Sequence, residues 1–260
     1  MEGVVESLRA AGCVFAEEEA GLLVEAATTT VDLRSLVERR VAGLPLEQVI
    51  GWAEFRGLRI EVDPGVFVPR RRTELLVTWA VALARPAAVV VDLCCGSGAL
   101  AAALVGEIEG AQVYAVDIDA AAAGCARRNL EPLGGEAFEG DPYAPLPEEL
   151  RGSVDLLVVC APYVPSDAIR LMPPEARLHE PRSALDGGPD GLDVVRQVIA
   201  QAPQWLGPGG HLLVETSADQ APITEVCCAD AGMAARTVTA PELSATAVIG
   251  SVVAARQRQG

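Results

Sequence analysis

The sequence predicts an α/β fold in which helices cover both faces of a doubly wound sheet, and three observations lead there. From residue 88 onward, short Val-rich runs alternate with Ala- and Leu-rich helical stretches, the pattern of successive strand–helix units. The first unit, 88–100, ends its apolar run on Asp92 and turns through Cys94-Cys95-Gly96-Ser97-Gly98 into a helix. The last two apolar runs, about 234–239 and 246–253, are close enough in sequence to form an antiparallel hairpin.

Composition narrows the class. At 260 residues the chain can bury a substantial core, and 50% hydrophobic content is ordinary for a globular protein. No apolar stretch reaches membrane-spanning length, and the start, Met1-Glu2-Gly3-Val4-Val5-Glu6, lacks the basic-then-apolar layout of a signal peptide, so a soluble, cytoplasmic protein is expected. The net charge is −16, and all 20 basic residues are Arg. Such acidity opposes broad binding to a phosphate backbone, so no direct nucleic-acid binding is expected. Seven Cys, with no C-x-x-C and only His179 and His211 beside them, read as reduced thiols rather than a metal site.

In chain order, residues 1–44 read as a small helical domain of two or three helices. Val4, Val5, Leu8 and Ala11 share one face, Ala20, Leu23, Val24 and Ala27 another, and the third helix is capped by Thr30 or Asp32. Residues 45–68 form a linker whose alternation around Gly57 predicts a β-hairpin, and residues 69–260 form the main domain. Arg70-Arg71-Arg72, just before an apolar helix at 75–84, opposes a helix dipole and reads either as solvated surface or as a contact to an anionic group. Strands follow at 113–116, near 137–138, at 154–159 and at 211–216, with helices at 119–130, 191–206 and 219–231. Gly207-Pro208-Gly209-Gly210 reads as a loop, and 166–190 as a long, helix-poor excursion of the kind that serves as a lid or binding segment.

The loop after the first strand suits two cofactor classes. Gly96-Ser97-Gly98-Ala99-Leu100-Ala101 fits the G-x-G-x-x-G/A pattern of dinucleotide binders. Asp92 discriminates: a carboxylate there repels a pyrophosphate but attracts the ammonium group of S-adenosylmethionine. Asp117, ending the second strand, can take both ribose hydroxyls of either cofactor. Asp141 either takes an adenine amino group or is only a turn residue before Pro142.

From Pro45 to Val253 the chain resembles the HemK-type protein-(glutamine-N5) methyltransferases, which modify peptide-chain release factors. The likeness rests on Asp63-Pro64-Gly65-Val66-Phe67-Val68-Pro69-Arg70, Thr73-Glu74-Leu75-Leu76, the 92–98 loop, Asp117, Gly140-Asp141, Ala161-Pro162-Tyr163-Val164-Pro165, His179-Glu180-Pro181-Arg182 and Pro208-Gly209-Gly210, in that order. It implies a seven-stranded class I SAM-dependent methyltransferase (Rossmann-like) sheet. It also implies a cofactor site of Asp92, Cys94, Cys95, Gly96, Ser97, Gly98, Asp117, Ile118, Asp141, Pro142 and Cys160. The catalytic loop would be Cys160, Ala161, Pro162 and Tyr163, with Arg70, Thr73, Tyr163 and Glu180 near the substrate.

Three departures stand out. Cys160-Ala161-Pro162-Tyr163 replaces the family's Asn-Pro-Pro-Tyr, and a thiol is a weak hydrogen-bond acceptor. Arg71-Arg72 stands where the family commonly carries Pro and an acid. Cys94 stands where many such loops have Gly, which extended backbone dihedrals would tolerate. The expected function is methyl transfer to a glutamine amide of a protein such as a release factor. The alternatives are an amine or other acceptor, including a small molecule whose carboxylate the Arg70–Arg72 run would hold, and a SAM-binding protein without turnover.

Overall fold

In the computed structural model, which describes residues 1–252, the chain opens with four helices: α1 (Glu2–Ala10), α2 (Ala16–Ala26), α3 (Thr30–Val41) and α4 (Leu46–Ile50). Leu8, Ala16, Ala20, Leu23, Leu36 and Val49 form their shared core. The cap of α3 is Thr29 rather than Thr30 or Asp32: its hydroxyl accepts the Asp32 N–H at 3.1 Å. Asp32 instead turns back to accept the Thr28 N–H at 2.9 Å, so the two side chains satisfy two otherwise orphaned donors. Helix α4 lies within the stretch expected as linker; it adds Val49 to the helical core and ends at left-handed Gly51.

Strands β1 (Trp52–Phe55) and β2 (Leu58–Glu61) pair antiparallel, with Phe55 opposite Leu58. Both turn residues are left-handed, Arg56 at φ 53° and Gly57 at φ 75°, as a two-residue hairpin with the right strand twist requires. Phe55 and Ile60 reach into the main core, while Ala53, Val62, Val66 and Val68 pack with Ala122 and Cys125.

The remainder alternates as expected: α5 (Glu74–Leu83), β3 (Val89–Leu93), α6 (Ala99–Glu107), β4 (Gln112–Asp117), α7 (Ala120–Leu130), β5 (Glu136–Glu139), β6 (Val154–Val159), α8 (Pro174–His179), α9 (Asp193–Trp205), β7 (Leu206–Thr216), α10 (Ala221–Asp230), β8 (Met233–Ala240) and β9 (Ala245–Val252). The sheet order is β5-β4-β3-β6-β7-β9-β8. The first five strands are parallel, and β9 runs antiparallel between β7 and β8. This is the class I methyltransferase fold that the sequence predicts. Val253 and the rest of the expected main domain to residue 260 lie outside the described residues.

Two-residue periodicity splits the core between the sheet faces: Val90 packs with α5, α6 and α7, and its neighbour Val91 with α9. Strand β7 is longer than expected because Gly207-Pro208-Gly209-Gly210 belongs to it as an irregularity opposite Val154 and Leu156. A Cβ at Gly210 would meet the Val154 carbonyl at 2.8 Å, so the close approach needs glycine. The 166–190 excursion holds α8, two turns of 3-10 helix at Ser166–Leu171 and a single turn at Arg182–Ala184. Among the described residues no helix is long and apolar enough to cross a membrane. The chain runs outward from β3 to β5 and returns to the other side of β3 as β6, which opens a crevice at the strands' carboxyl ends.

Candidate active site

Two clefts share this crevice. The first, about 820 Å³, is lined by Cys94, Gly96, Asp117, Ile118, Asp141, Pro142, Cys160 and Pro162, all singled out in the sequence. A smaller recess beside it holds Asp92, Cys94, Cys95, Gly96, Ser97 and Cys160, with Arg70 and Thr73. Gly98 lines neither. At φ 77°, its absent side chain lets α6 approach α7, where a Cβ would stand 3.0 Å from that of Ala126. The position therefore needs glycine for the packing of α6 against α7.

Asp92 is fully enclosed, one residue before the end of β3. Its Oδ2 accepts the Ala101 N–H at 3.1 Å, capping α6 from the neighbouring strand where Gly98 has no side chain to do so. Its Oδ1 has no partner among the described residues. Burial pushes the carboxyl well above the ordinary Asp range, and a donor or cation at Oδ1 would restore its charge. Asp117 is tied by backbone donors: Gly96 N–H to Oδ2 at 2.8 Å and Asp119 N–H to Oδ1 at 2.9 Å. Burial raises its pKa, the backbone N–H groups of Asp119, Gly96 and Ile118 oppose the rise, and the residue lines the cleft.

Cys94 overturns one expectation. It sits at φ 59°, in the left-handed region rather than extended, so the side chain there is strained. Cys94→Gly is expected to relieve about 1 kcal/mol of that strain, raising the melting temperature by about 2–4 °C in a scanning experiment.

The second cleft, about 990 Å³, lies on the other side of Cys160 and is lined by Arg70, Arg72, Cys160, Ala161, Tyr163, Glu175 and Glu180. Its wall on α8 is tied to the N-terminal helices by Arg40, which bonds Glu19 at 2.6 Å and Glu175 at 2.9 Å. Arg70 and Glu180 face the cleft but first serve each other. Arg70 Nη2 reaches both Glu180 oxygens at 2.6 Å, and the same carboxylate accepts the Val68 N–H. Thr73 is buried with its hydroxyl 3.9 Å from the Cys160 sulfur. Burial raises the Cys160 thiol well above its ordinary pKa, so it stays protonated.

The loop 160–164 is fixed by groups the sequence reading passed over. Gln220 donates to the Tyr163 carbonyl at 2.9 Å, Val164 exchanges backbone bonds with Leu185 and Gly187, and Tyr163 donates its hydroxyl to Glu215 at 3.1 Å. Glu215 also takes Arg72 Nε at 3.0 Å. Its only sequence signal was position, near the end of a predicted strand two places from the first. Gly191, at φ 80°, passes so close that a Cβ would lie 2.3 Å from the Tyr163 carbonyl. Gly191→Ala is therefore expected to displace Tyr163 and destabilise the fold by about 1–3 kcal/mol, visible as a lowered melting temperature and a changed Tyr near-UV signal. Among the described residues, no group of three or more His, Cys, Asp or Glu is placed to hold a metal.

Comparison with known proteins agrees with this geometry. A family model described as Methyltransferase small domain matches residues 57–188. Curated relatives named release factor glutamine methyltransferase are 40–46% identical. The one from Gloeobacter violaceus is 44% identical over 197 residues, 73% of this chain and 68% of the relative. A relative from Streptomyces pristinaespiralis, named 4-amino-L-phenylalanine/4-methylamino-L-phenylalanine methyltransferase, is 40% identical over 186 residues, 69% of this chain and 63% of the relative. The chain spans about two thirds of the length of these relatives, from 61% to 68%. A methyltransferase structure from Pyrococcus furiosus shares the fold at TM-score 0.59 and 17% identity, covering 83% of this chain and 99% of that one. On the matched domain and these relatives, the chain belongs to the release factor glutamine methyltransferase family.

Proposed function

We propose that this protein is an S-adenosylmethionine-dependent methyltransferase whose acceptor is a side-chain amide nitrogen of a protein, as in the release-factor enzymes it is similar to. The observation that carries the reading is the meeting of two clefts at Cys160, Phe67 and Ala184, a donor chamber and an acceptor chamber sharing one wall. When bound, the cofactor supplies an electrophilic methyl carbon. The residues of the first cleft and of the recess beside it fit it: the orphaned Asp92 Oδ1 in the recess suits an ammonium group, the Asp117 carboxylate suits ribose hydroxyls, and Ile118 and the Asp141-Pro142 turn flank the space for adenine.

On the acceptor side, the chain orients the nitrogen. The Ala161 carbonyl has no hydrogen-bond partner among the described residues and is free to accept an N–H. The Tyr163 ring is held at a fixed angle by Glu215 and bounds the cleft. The protonated thiol of Cys160 adds no charge and is a poor nucleophile, so it does not compete for the methyl group. Holding donor and acceptor in line across a shared wall supplies the acceleration by proximity.

A second acceptor is favoured by one residue. A thiol at position 160 accepts N–H bonds weakly, which suits a more nucleophilic amine that needs less orientation. The S. pristinaespiralis relative is named for such a substrate. Labelled-methyl transfer to a release factor carrying its Gly-Gly-Gln loop, run beside 4-amino-L-phenylalanine, tests both. Label in the release factor supports the amide reading; label in the amino acid alone transfers the conclusion to the amine. Label in neither, with cofactor binding seen by calorimetry, leaves a binding protein without turnover.

A further inference from the structure

We infer that the methyl acceptor carries a carboxylate in addition to its reactive nitrogen and that Arg72 reads it, a specificity contact that rests on the methyltransferase reading above. Four arginines stand at or near the acceptor cleft, and their free edges differ. Arg40 is consumed by Glu19, Glu175 and the Leu44 carbonyl. Arg70 closes on both oxygens of Glu180. Arg71 is exposed and lines a different depression with Glu54, Arg56 and Glu107. Arg72 alone of the four lines the acceptor cleft with both Nη groups unpartnered among the described residues.

Its orientation is fixed. Nε bonds Glu215 Oε1 at 3.0 Å, and the guanidinium lies 5.7 Å from the centre of the Tyr163 ring. Glu215 is buried and holds Tyr163 through the same oxygen, so the three side chains form one rigid group. What projects is the outer edge of a planar fork, 40% of the side chain exposed, at the boundary between the acceptor cleft and an adjoining one of about 930 Å³. Two parallel N–H donors match the two oxygens of a carboxylate. Charge favours the same ligand over a phosphate. Glu215 and Glu180 already balance Arg72 and Arg70, so a monoanion is tolerated where a dianion would meet two buried carboxylates. The carboxylate belongs either to an amino-acid acceptor or to an acidic residue next to a reactive glutamine.

The experiment uses the whole protein with S-adenosylmethionine and two matched pairs of acceptors: 4-amino-L-phenylalanine against its carboxamide, and a Gly-Gly-Gln peptide with Glu against one with Met next to the reactive residue. The expected result is a KM at least about tenfold lower for the carboxylate member of one pair, with kcat changed much less; the responding pair identifies the source. Arg72→Gln should erase that ratio and Arg72→Lys should keep part of it. If Arg72→Gln fails to bind S-adenosylhomocysteine and so is misfolded, the wild-type ratio and the Arg72→Lys variant decide. Equal KM values within both pairs, or a ratio that survives Arg72→Gln, overturn the inference while leaving the methyltransferase reading intact. Transfer to none of the four by cofactor-binding protein overturns both.

Discussion

Replacing Cys160 with asparagine is expected to raise methyl transfer to a glutamine amide by about a hundredfold. An amide nitrogen is a poor nucleophile because its lone pair is shared with the carbonyl, and its two N–H bonds must be held for that lone pair to face the methyl group. The Ala161 carbonyl lines the acceptor cleft with no hydrogen-bond partner among the described residues. The side chain at 160 touches the donor cleft, the acceptor cleft and the recess beneath them, so an amide oxygen placed there would face the acceptor directly. One preorganised polar contact in a water-poor site is worth about 2.7–4 kcal/mol in the transition state, which converts to a factor of about 100 or more. The measurement is kcat for labelled-methyl transfer to a release factor or its Gly-Gly-Gln peptide, with cofactor affinity as the control for folding. A folded variant with no gain on amide, while amines are still methylated, would assign this chain to amine acceptors.

Asp117→Ala is expected to weaken cofactor binding by at least about a hundredfold, because two charge-assisted hydrogen bonds of about 1.5–3 kcal/mol each are lost. The same carboxylate holds the loop: Gly96 N–H and Asp119 N–H both point at it. Removing it strands two donors as well as the ribose contact, so calorimetry should show the affinity falling together with the melting temperature. Asp117→Asn keeps one acceptor oxygen and should fall between the two. Undiminished binding of S-adenosylmethionine by Asp117→Ala would remove this residue from the cofactor site.

The two substitutions separate the two halves of the site, which were legible in the sequence to different degrees. The donor half is local. Asp92 and the 94–97 loop lie within a few residues of one strand, and Asp117 ends the next strand in the sheet. Parallel pairing of β3 with β4 then sets Asp92 beside Ala115 and Leu93 beside Val116, bringing Asp117 to the loop with little freedom for error. Even here Cys94 is left-handed where the sequence suggests extended backbone, since φ depends on how the loop must turn to put the Gly96 N–H on Asp117, not on the residue's size. Gly98 fits a ligand-binding pattern and also has a packing reason, Ala126 on α7, which the sequence does not show because a missing side chain looks the same whichever neighbour requires it.

The acceptor half is non-local. Arg72 precedes α5, Tyr163 follows β6 and Glu215 lies one residue before the end of β7, so their meeting requires that β6 and β7 be neighbours and that α5 pack against them. Gln220 and Gly191 hold the Tyr163 carbonyl from two further segments. The three consecutive arginines read as one basic run, yet folding sends Arg70 to Glu180, Arg71 outward and Arg72 to Glu215.

By itself the sequence determined the strand–helix alternation, the family and the loop that lines the first cleft and its recess. Hydrophobic periodicity and short-range turn chemistry are properties of neighbouring residues, and the spacing of a strand, a turn and a helix leaves those side chains few places to go. Only the tertiary structure decided which charges pair, which glycines are steric and which arginine keeps a free edge in the acceptor cleft. Those outcomes depend on distances between segments as many as 143 residues apart, as Arg72 and Glu215 are, and such distances exist only once the sheet order is formed.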